Sequence, residues 1–231
     1  MSKGRILLKL SGEVLGGSSG AGLELSSLEH FSKLLGGISE AGYELGVVSG
    51  GGNIIRGKFS DGLDRSRADQ IGMMGTVVNS MALGEVMRVL GYDVCVMSSV
   101  RSLARSYDIF EARSLLSSGT IVFVAGGTSN PYFSTDSASA LRALELGCDC
   151  MVKATKVDGV YDKDPKRFPE ARRFESISFD EVLKRGLGVM DLTAITLCRE
   201  NGLDLRVCSI DSLGAIDRVI SGVEGTRVYC S

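Results

Sequence analysis

Gly50, Gly51, Gly52 and Arg56 are residues whose types and spacing could do chemistry. Three consecutive glycines lack the Cβ atoms that keep a bulky anion off the backbone, so a phosphate could rest on bare N–H groups. Arg56, close behind, brings a planar fork of donors suited to phosphate oxygens. For an isolated glycine triplet a flexible turn is the plainer reading. The balance shifts because other loops of similar chemistry follow strand-like runs elsewhere.

Lys9 interrupts the apolar run from Ile6 to Leu10, directly before Ser11-Gly12. Either it snorkels to solvent from a strand end, or it is a cation carried to the carboxyl end of a strand, where open α/β sheets bind ligands. Beside the glycine loop the second reading is preferred. Asp69 introduces a long helical pattern through Ile71, Met74, Val78, Met81, Leu83, Val86 and Leu90. On local grounds it is an N-cap, worth about 1 kcal/mol; otherwise it is a ligand group. Gly126-Gly127-Thr128-Ser129-Asn130-Pro131-Tyr132-Phe133-Ser134-Thr135-Asp136 follows an apolar strand and opens a helix. Hydroxyls and an amide at a helix N-terminus suit a phosphate, and so long a run exceeds what a cap by Thr135 or Asp136 requires. Thr155 to Pro165 carries two turn signals, Asp158-Gly159 and Asp164-Pro165, around Tyr161. It forms a polar, aromatic shelf on which a purine and its ribose could lie.

The elements that must position these residues alternate along the chain. Strands are expected at Arg5–Leu10, Tyr43–Val48, Asp93–Met97, Thr120–Ala125, Asp149–Ala154, Asp204–Ile210 and Thr226–Tyr229. A capping box at Ser26-Ser27-Leu28-Glu29 should open the first helix, giving a β-α-β unit with parallel strands. Further helices start at Asp69, at Asp108, after Asp136 and at the capping box Ser178-Phe179-Asp180-Glu181. Others run from Met190 to Cys198, with Asp191 in the first turn, and from Leu213 to Val219. Gly16 to Gly22 reads as a mobile loop, and 167–176 as a polar one.

Composition narrows the classes. With 231 residues, 44% of them hydrophobic, the chain can bury one large domain or two closely joined lobes, and 3 prolines leave no linker to divide it. A net charge of -2 lacks the basic excess expected of a nucleic-acid binder, though a few focused donors still suit a small anion. The 6 cysteines form no Cys-x-x-Cys pair and read as small core hydrophobes, and 1 histidine, His30, argues against a zinc site or a Ser-His-Asp triad. No apolar run approaches the roughly 20 residues a membrane span needs, and a cytoplasmic location is the expectation.

Taken together, Lys9-Leu10-Ser11-Gly12, Gly50-Gly51-Gly52-Asn53 with Arg56, Asp69, the Thr128 to Asp136 loop, and Lys153 to Tyr161 with Asp164-Pro165 resemble the bacterial UMP kinases of the amino acid kinase superfamily. The similarity runs from Arg5 to Tyr229. It implies a three-layer αβα sandwich around a central, mainly parallel sheet, one kinase domain over residues 1–231, and transfer of the γ-phosphate of ATP to UMP with Mg²⁺ held through the ATP phosphates. It implies a homohexamer built from dimers, with activation by GTP and inhibition by UTP. Lys9, Leu10, Ser11, Gly12, Gly52, Arg56, Thr155, Tyr161 and Asp164 would meet ATP. Gly51, Asp69 and the loop Thr128, Ser129, Asn130, Pro131, Tyr132, Phe133, Ser134 and Thr135 would hold UMP. Lys9 and Arg56 would neutralise the transferring phosphoryl group, with Asp136 and Asp191 orienting Lys9 or the metal-bound phosphates.

Three positions depart from the family pattern. Ser49 stands where an apolar residue is more usual, Ser129 where glycine is common, and Ser134 where threonine is commoner. Two other readings compete: a kinase of a carboxylate such as acetylglutamate or aspartate, and a nucleotide-binding protein without catalysis. The Thr128–Asp136 loop with Asp69 disfavours the first, and retention of Lys9, Arg56 and Asp136 the second.

Overall fold

The computed structural model describes residues 2–55 and 62–230. Strands β1 (Gly4–Leu10), β2 (Tyr43–Ser49), β3 (Val94–Ser98), β4 (Arg105–Ser106), β5 (Ile121–Ala125), β6 (Cys150–Thr155), β7 (Ser176–Ser178), β8 (Asp204–Ser209) and β9 (Thr226–Tyr229) form one sheet, ordered β4-β3-β5-β2-β1-β6-β8-β9-β7. Every pairing is parallel except β8 with β9. Between the strands lie α1 (Leu25–Glu40), α2 (Arg65–Val89), α3 (Ile109–Ser117), α4 (Thr135–Leu146), α5 (Phe179–Arg185), α6 (Leu192–Glu200) and α7 (Ile216–Ile220). Tight 3-10 turns occupy Gly12–Ser19 and Ile210–Ala215.

Alternation along the strands divides the core in two. Ile6, Leu8 and Leu10 pack on one face with Leu28, Phe31 and Leu35 of α1 and with Leu83 and Met87 of α2. Leu7 points to the other face, against Ala140, Ala143 and Leu146 of α4 and Ile195 of α6. A strand buried on both faces reads as a continuous apolar run, which is why β1, β2, β5 and β6 are legible in the sequence. The result is the expected αβα sandwich. Because β5, β2, β1 and β6 are neighbours and parallel, their carboxyl ends open on the same edge of the sheet.

Several local expectations are corrected. The first helix begins at Leu25 with Glu24 at its N-cap position, and Ser26 sits inside the first turn, its hydroxyl donating to Glu24 Oε1 rather than capping. The N-cap of α2 is Asp64, whose carboxylate accepts from the Arg67 amide; Asp69 lies within the helix. Ser134, not Thr135 or Asp136, caps α4, and Asp191 caps α6 instead of lying in its first turn. Leu213 to Val219 is part 3-10 turn and part helix. The Gly16–Gly22 stretch is fastened rather than loose: Gly22 N donates to Asn53 O at 2.8 Å and Asn53 Nδ2 donates back to Gly22 O at 2.7 Å. The short edge strands β4 and β7 carry too few residues to show any alternation and go unpredicted.

Candidate active site

The glycine loop is built by close backbone approach. A Cβ on Gly12 would stand 2.2 Å from Gly50 O, and one on Gly51 2.5 Å from Gly72 O of α2, so both glycines let three chain segments touch. Gly52 differs: the nearest atom to its missing Cβ is in the Glu13 side chain at 3.7 Å. Beneath the loop, buried Asn53 and Asn79 exchange amide hydrogen bonds at 2.9 and 2.7 Å, and Asn79 also donates to Gly50 O at 2.6 Å. Ser49 is fully buried with its hydroxyl 3.3 Å from that of Ser80, which satisfies a buried polar group. Arg56 lies outside the described residues.

Lys9 and Lys153 are cross-strand partners on β1 and β6, and both point to the α4 side of the sheet. Like charges opposite one another destabilise a sheet unless an anion lies between them. Asp136, in the first turn of α4, does: its Oδ2 is 2.6 Å from Lys153 Nζ and its Oδ1 3.0 Å from Lys9 Nζ. Lys153 also donates to Val189 O at 2.6 Å. The Lys9 contact is an ion pair without hydrogen-bond geometry, since Asp136 Oδ1 has no hydrogen-bond partner among the described residues. Burial pushes the Lys153 ammonium below the ordinary lysine value, and Asp136 resists that shift. Two ammonium groups and the positive end of α4 thus meet with one carboxylate in contact, which suits additional anionic oxygens. Lys153 belongs to the motif that carries the resemblance, which assigns it no role. The signal that singled out Lys9, a lysine breaking an apolar strand near its carboxyl end, applies to it equally.

Asp191 does not contact Lys9. It accepts from the Ala194 amide at 3.0 Å, from Ser137 Oγ at 2.8 Å and from Ser134 Oγ, so it ties the N-terminus of α4 to that of α6. Burial would raise its carboxyl, but the bonds from Ser134, Ala194 N and Ser137 outweigh that and hold it below the usual carboxylate range.

Two clefts approach this cluster, one through Thr135, which precedes Asp136, and one through Lys153. The first, about 370 Å³, is lined by Gly51, Gly52, Asp69, Met73, Gly127, Thr128, Phe133, Ser134 and Thr135 among others. Asp69 accepts from the Tyr132 amide at 2.7 Å and from Arg65 Nε at 3.0 Å, fastening the Thr128–Thr135 loop to α2. Thr128 and Asn130 bond within that loop, and Ser129 and Tyr132 adopt left-handed φ values of 65 and 72°. Since Ser129 carries a Cβ where left-handed backbone favours glycine, Ser129→Gly is expected to raise stability by about 0.5 kcal/mol, read from the midpoint of chemical denaturation. The expectation fails if the midpoint does not move.

The second cleft, about 640 Å³, contains Lys153, Thr155, Tyr161, Asp164, Pro165 and the turn Gly186–Val189. Thr155 Oγ1 closes a turn with Val157, Tyr161 OH donates to Asp158 at 2.7 Å, and Asp164 Oδ1 accepts from Lys166 N at 3.0 Å. Ser11 makes no side-chain cap at the start of the 3-10 turn. Leu10 offers no side chain to a ligand, being fully buried, and its carbonyl accepts from Gly50 N at 2.9 Å. Pro131 and Tyr132 sit on the outer part of the acceptor loop, where Tyr132 is exposed and stacks on Arg65.

Residues 4–209 match the Amino acid kinase family. A uridylate kinase of Bacteroides thetaiotaomicron is 44% identical, the match covering 97% of this chain and 98% of that protein. A uridylate kinase of Methylococcus capsulatus is 46% identical over 94% of this chain and 93% of its own. Among solved structures, the UMP kinase of Bacillus anthracis superposes with a TM-score of 0.94 at 34% identity, covering 99% of this chain and 97% of its own. That of Ureaplasma parvum gives 0.92, also at 34% identity, over 99% of this chain and 100% of its own. The chain therefore belongs to the amino acid kinase family and groups there with the uridylate kinases.

Proposed function

We propose that the chain transfers the γ-phosphoryl group of ATP to UMP, giving UDP and ADP on the route to pyrimidine nucleotides. The observation that carries the reading is the Lys9–Asp136–Lys153 cluster joining the two clefts, with Lys153 at the wall of one and Asp136 next to Thr135 of the other. ATP takes the cleft bordered by Thr155, Tyr161 and Asp164, and UMP the one bordered by Gly51, Asp69 and the 128–135 loop. Phosphoryl transfer asks mainly for alignment and for positive charge around the moving group. Lys9 and Lys153 supply two cations to the transferring oxygens, with Arg56 as a third donor and Ser11, Gly12 and Gly52 offering loop N–H and hydroxyl groups. Asp136 contacts both ammonium groups and holds them in place, and Asp191 holds the helix that carries Asp136.

Mg²⁺ would be held chiefly through the ATP phosphates, and Asp136, beside the lysines, is the carboxylate that would face the metal-bound phosphates. When bound, the ion neutralises charge on the phosphate oxygens. A coupled assay of ADP release, offering UMP, CMP, dUMP and acetylglutamate in turn, tests the reading; UMP should be preferred, and no turnover with UMP would sink it.

The Asp69 carboxylate reaches the UMP ribose. Asp69→Asn should raise the KM for UMP about tenfold, from the loss of one charge-assisted hydrogen bond, with little change in that for ATP; parallel changes in both would count against the assignment.

We read residues 1–231 as one domain, supported by the continuous nine-stranded sheet, and its location as cytoplasmic; among the described residues no helix is long and apolar enough to cross a membrane. For assembly into a hexamer of dimers, support comes from α2, which carries no charged residue from Gln70 to Gly84 yet leaves Ile71, Met74, Val78 and Met81 each 38–44% exposed on successive turns. Val78→Glu should lower the mass measured by light scattering; an unchanged mass would place the contact elsewhere. GTP as activator and UTP as inhibitor rest on the family resemblance, and titrating each into the assay reads them.

A further inference from the structure

Arg142 of α4 is 5% exposed and touches neither cleft. Its Nη1 donates to Glu145 Oε2 at 2.6 Å, and its guanidinium lies 4.6 Å from the centre of the Tyr107 ring. The Tyr107 hydroxyl donates to the same Glu145 oxygen at 2.9 Å, and Arg113 Nε of α3 donates to Glu145 O at 2.7 Å. The second fork, Nη2, leaves this cluster and donates to Gly127 O at 2.8 Å. Arg142 Nε has no hydrogen-bond partner among the described residues. A buried guanidinium with one N–H unpaired is a poor way to fill a core, because a leucine incurs no such desolvation cost. Its geometry makes sense as a bracket for Gly127.

Gly127 starts the acceptor loop, and its carbonyl accepts from Arg142 and from the Ser99 hydroxyl, which lies 3.1 Å from it and shares its one proton with Ala125 O, also at 3.1 Å. Neither donor lines the acceptor cleft, whereas Gly127 and Thr128 do. In a trans peptide the carbonyl and the following N–H point in opposite directions. With Gly127 O drawn toward α4, the Thr128 N–H is turned the other way, and no acceptor takes it among the described residues.

We propose that Arg142 is a positioning residue which, with Ser99, locks the Gly127–Thr128 peptide so that the Thr128 amide donates to an anionic oxygen of the acceptor nucleotide. Glu145 and Tyr107 hold the guanidinium at the angle this needs. Lysine cannot replace it, since one ammonium does not span Glu145 and Gly127 in a fixed plane. The assignment rests on UMP as acceptor.

The test compares wild type with Arg142→Lys, by steady-state kinetics and by calorimetric titration of UMP and of ATP, with circular dichroism to check folding. The expected result is a KM and Kd for UMP raised about tenfold, one lost charge-assisted or preorganised contact, with the ATP values within about twofold. Equal shifts for both nucleotides, or none for UMP in a folded variant, overturn the proposal. If Arg142→Lys does not fold, Ser99→Ala removes the other donor to the same carbonyl. A rise of about threefold in UMP KM, at constant ATP KM, supports the bracket, and an unchanged UMP KM overturns it. Absence of UMP-dependent ADP release by the wild type would instead overturn the choice of acceptor, a separate failure visible before any variant is made.

Discussion

Lys9→Met is expected to lower kcat about 10²–10³-fold while leaving the fold intact. The side chain ends 3.0 Å from Asp136, which also contacts Lys153 of the second cleft, and losing one preorganised donor aimed at developing charge typically costs that much. Methionine has comparable length and fills the space, so thermal unfolding should move little and the KM for UMP should stay near that of the wild type. Measuring single-turnover rates with saturating ATP and UMP separates chemistry from binding. A variant within about threefold of wild-type turnover would refute the role given to Lys9.

Asp136→Asn should be worse for the molecule as a whole. Asp136 is the carboxylate that contacts both Lys9 and Lys153, and all three side chains are 14–16% exposed. Removing one partner of a buried pair costs roughly 3–5 kcal/mol. The lower end of that range corresponds to a fall in Tm of about 6–12 °C for a chain of this size. The substitution also has a signed effect on pH dependence. Burial lowers the Lys153 value below the ordinary one and Asp136 opposes that, so the asparagine variant should have a still lower value. Activity that needs a charged Lys153 is then lost at lower pH, and the alkaline limb of the kcat profile moves to the acid side. Stability runs the opposite way. The folded chain releases this proton before the unfolded chain does, so it binds fewer protons in the interval between the two values and gains stability as pH rises through it. An alkaline limb that stays in place would show that Asp136 does not control the charge on Lys153.

Much of this site is legible one residue at a time. Lys9 stands out because a lysine inside an apolar strand demands a reason, and the 128–136 loop because it carries more polar groups than a helix cap uses. The caps were misassigned where two acceptable residues lie close together: Asp64 and Asp69 both suit the start of α2, as do Ser134, Thr135 and Asp136 the start of α4. A shift of one to five residues changes a cap into a carboxylate with other partners, and local propensity does not separate the two. The glycine triplet reads as room for an anion; in the fold Gly51 lets backbone meet backbone, whereas Gly52 has only the Glu13 side chain near its missing Cβ, at 3.7 Å.

By itself the sequence determined the class of fold, the parallel core strands, and the polar loops that follow them, because each depends on periodicity or on residue type within one short segment. Only the tertiary structure decided which groups meet. The pairing of Lys9 with Lys153 is a matter of register between strands far apart in the chain, and their joint hold on Asp136 depends on how α4 is set over the sheet. Arg142 shows the same limit, for nothing in its neighbours along the chain reveals that its guanidinium ends on Gly127. Electrostatic partnership is set by distance in space, and distance in space is fixed by packing.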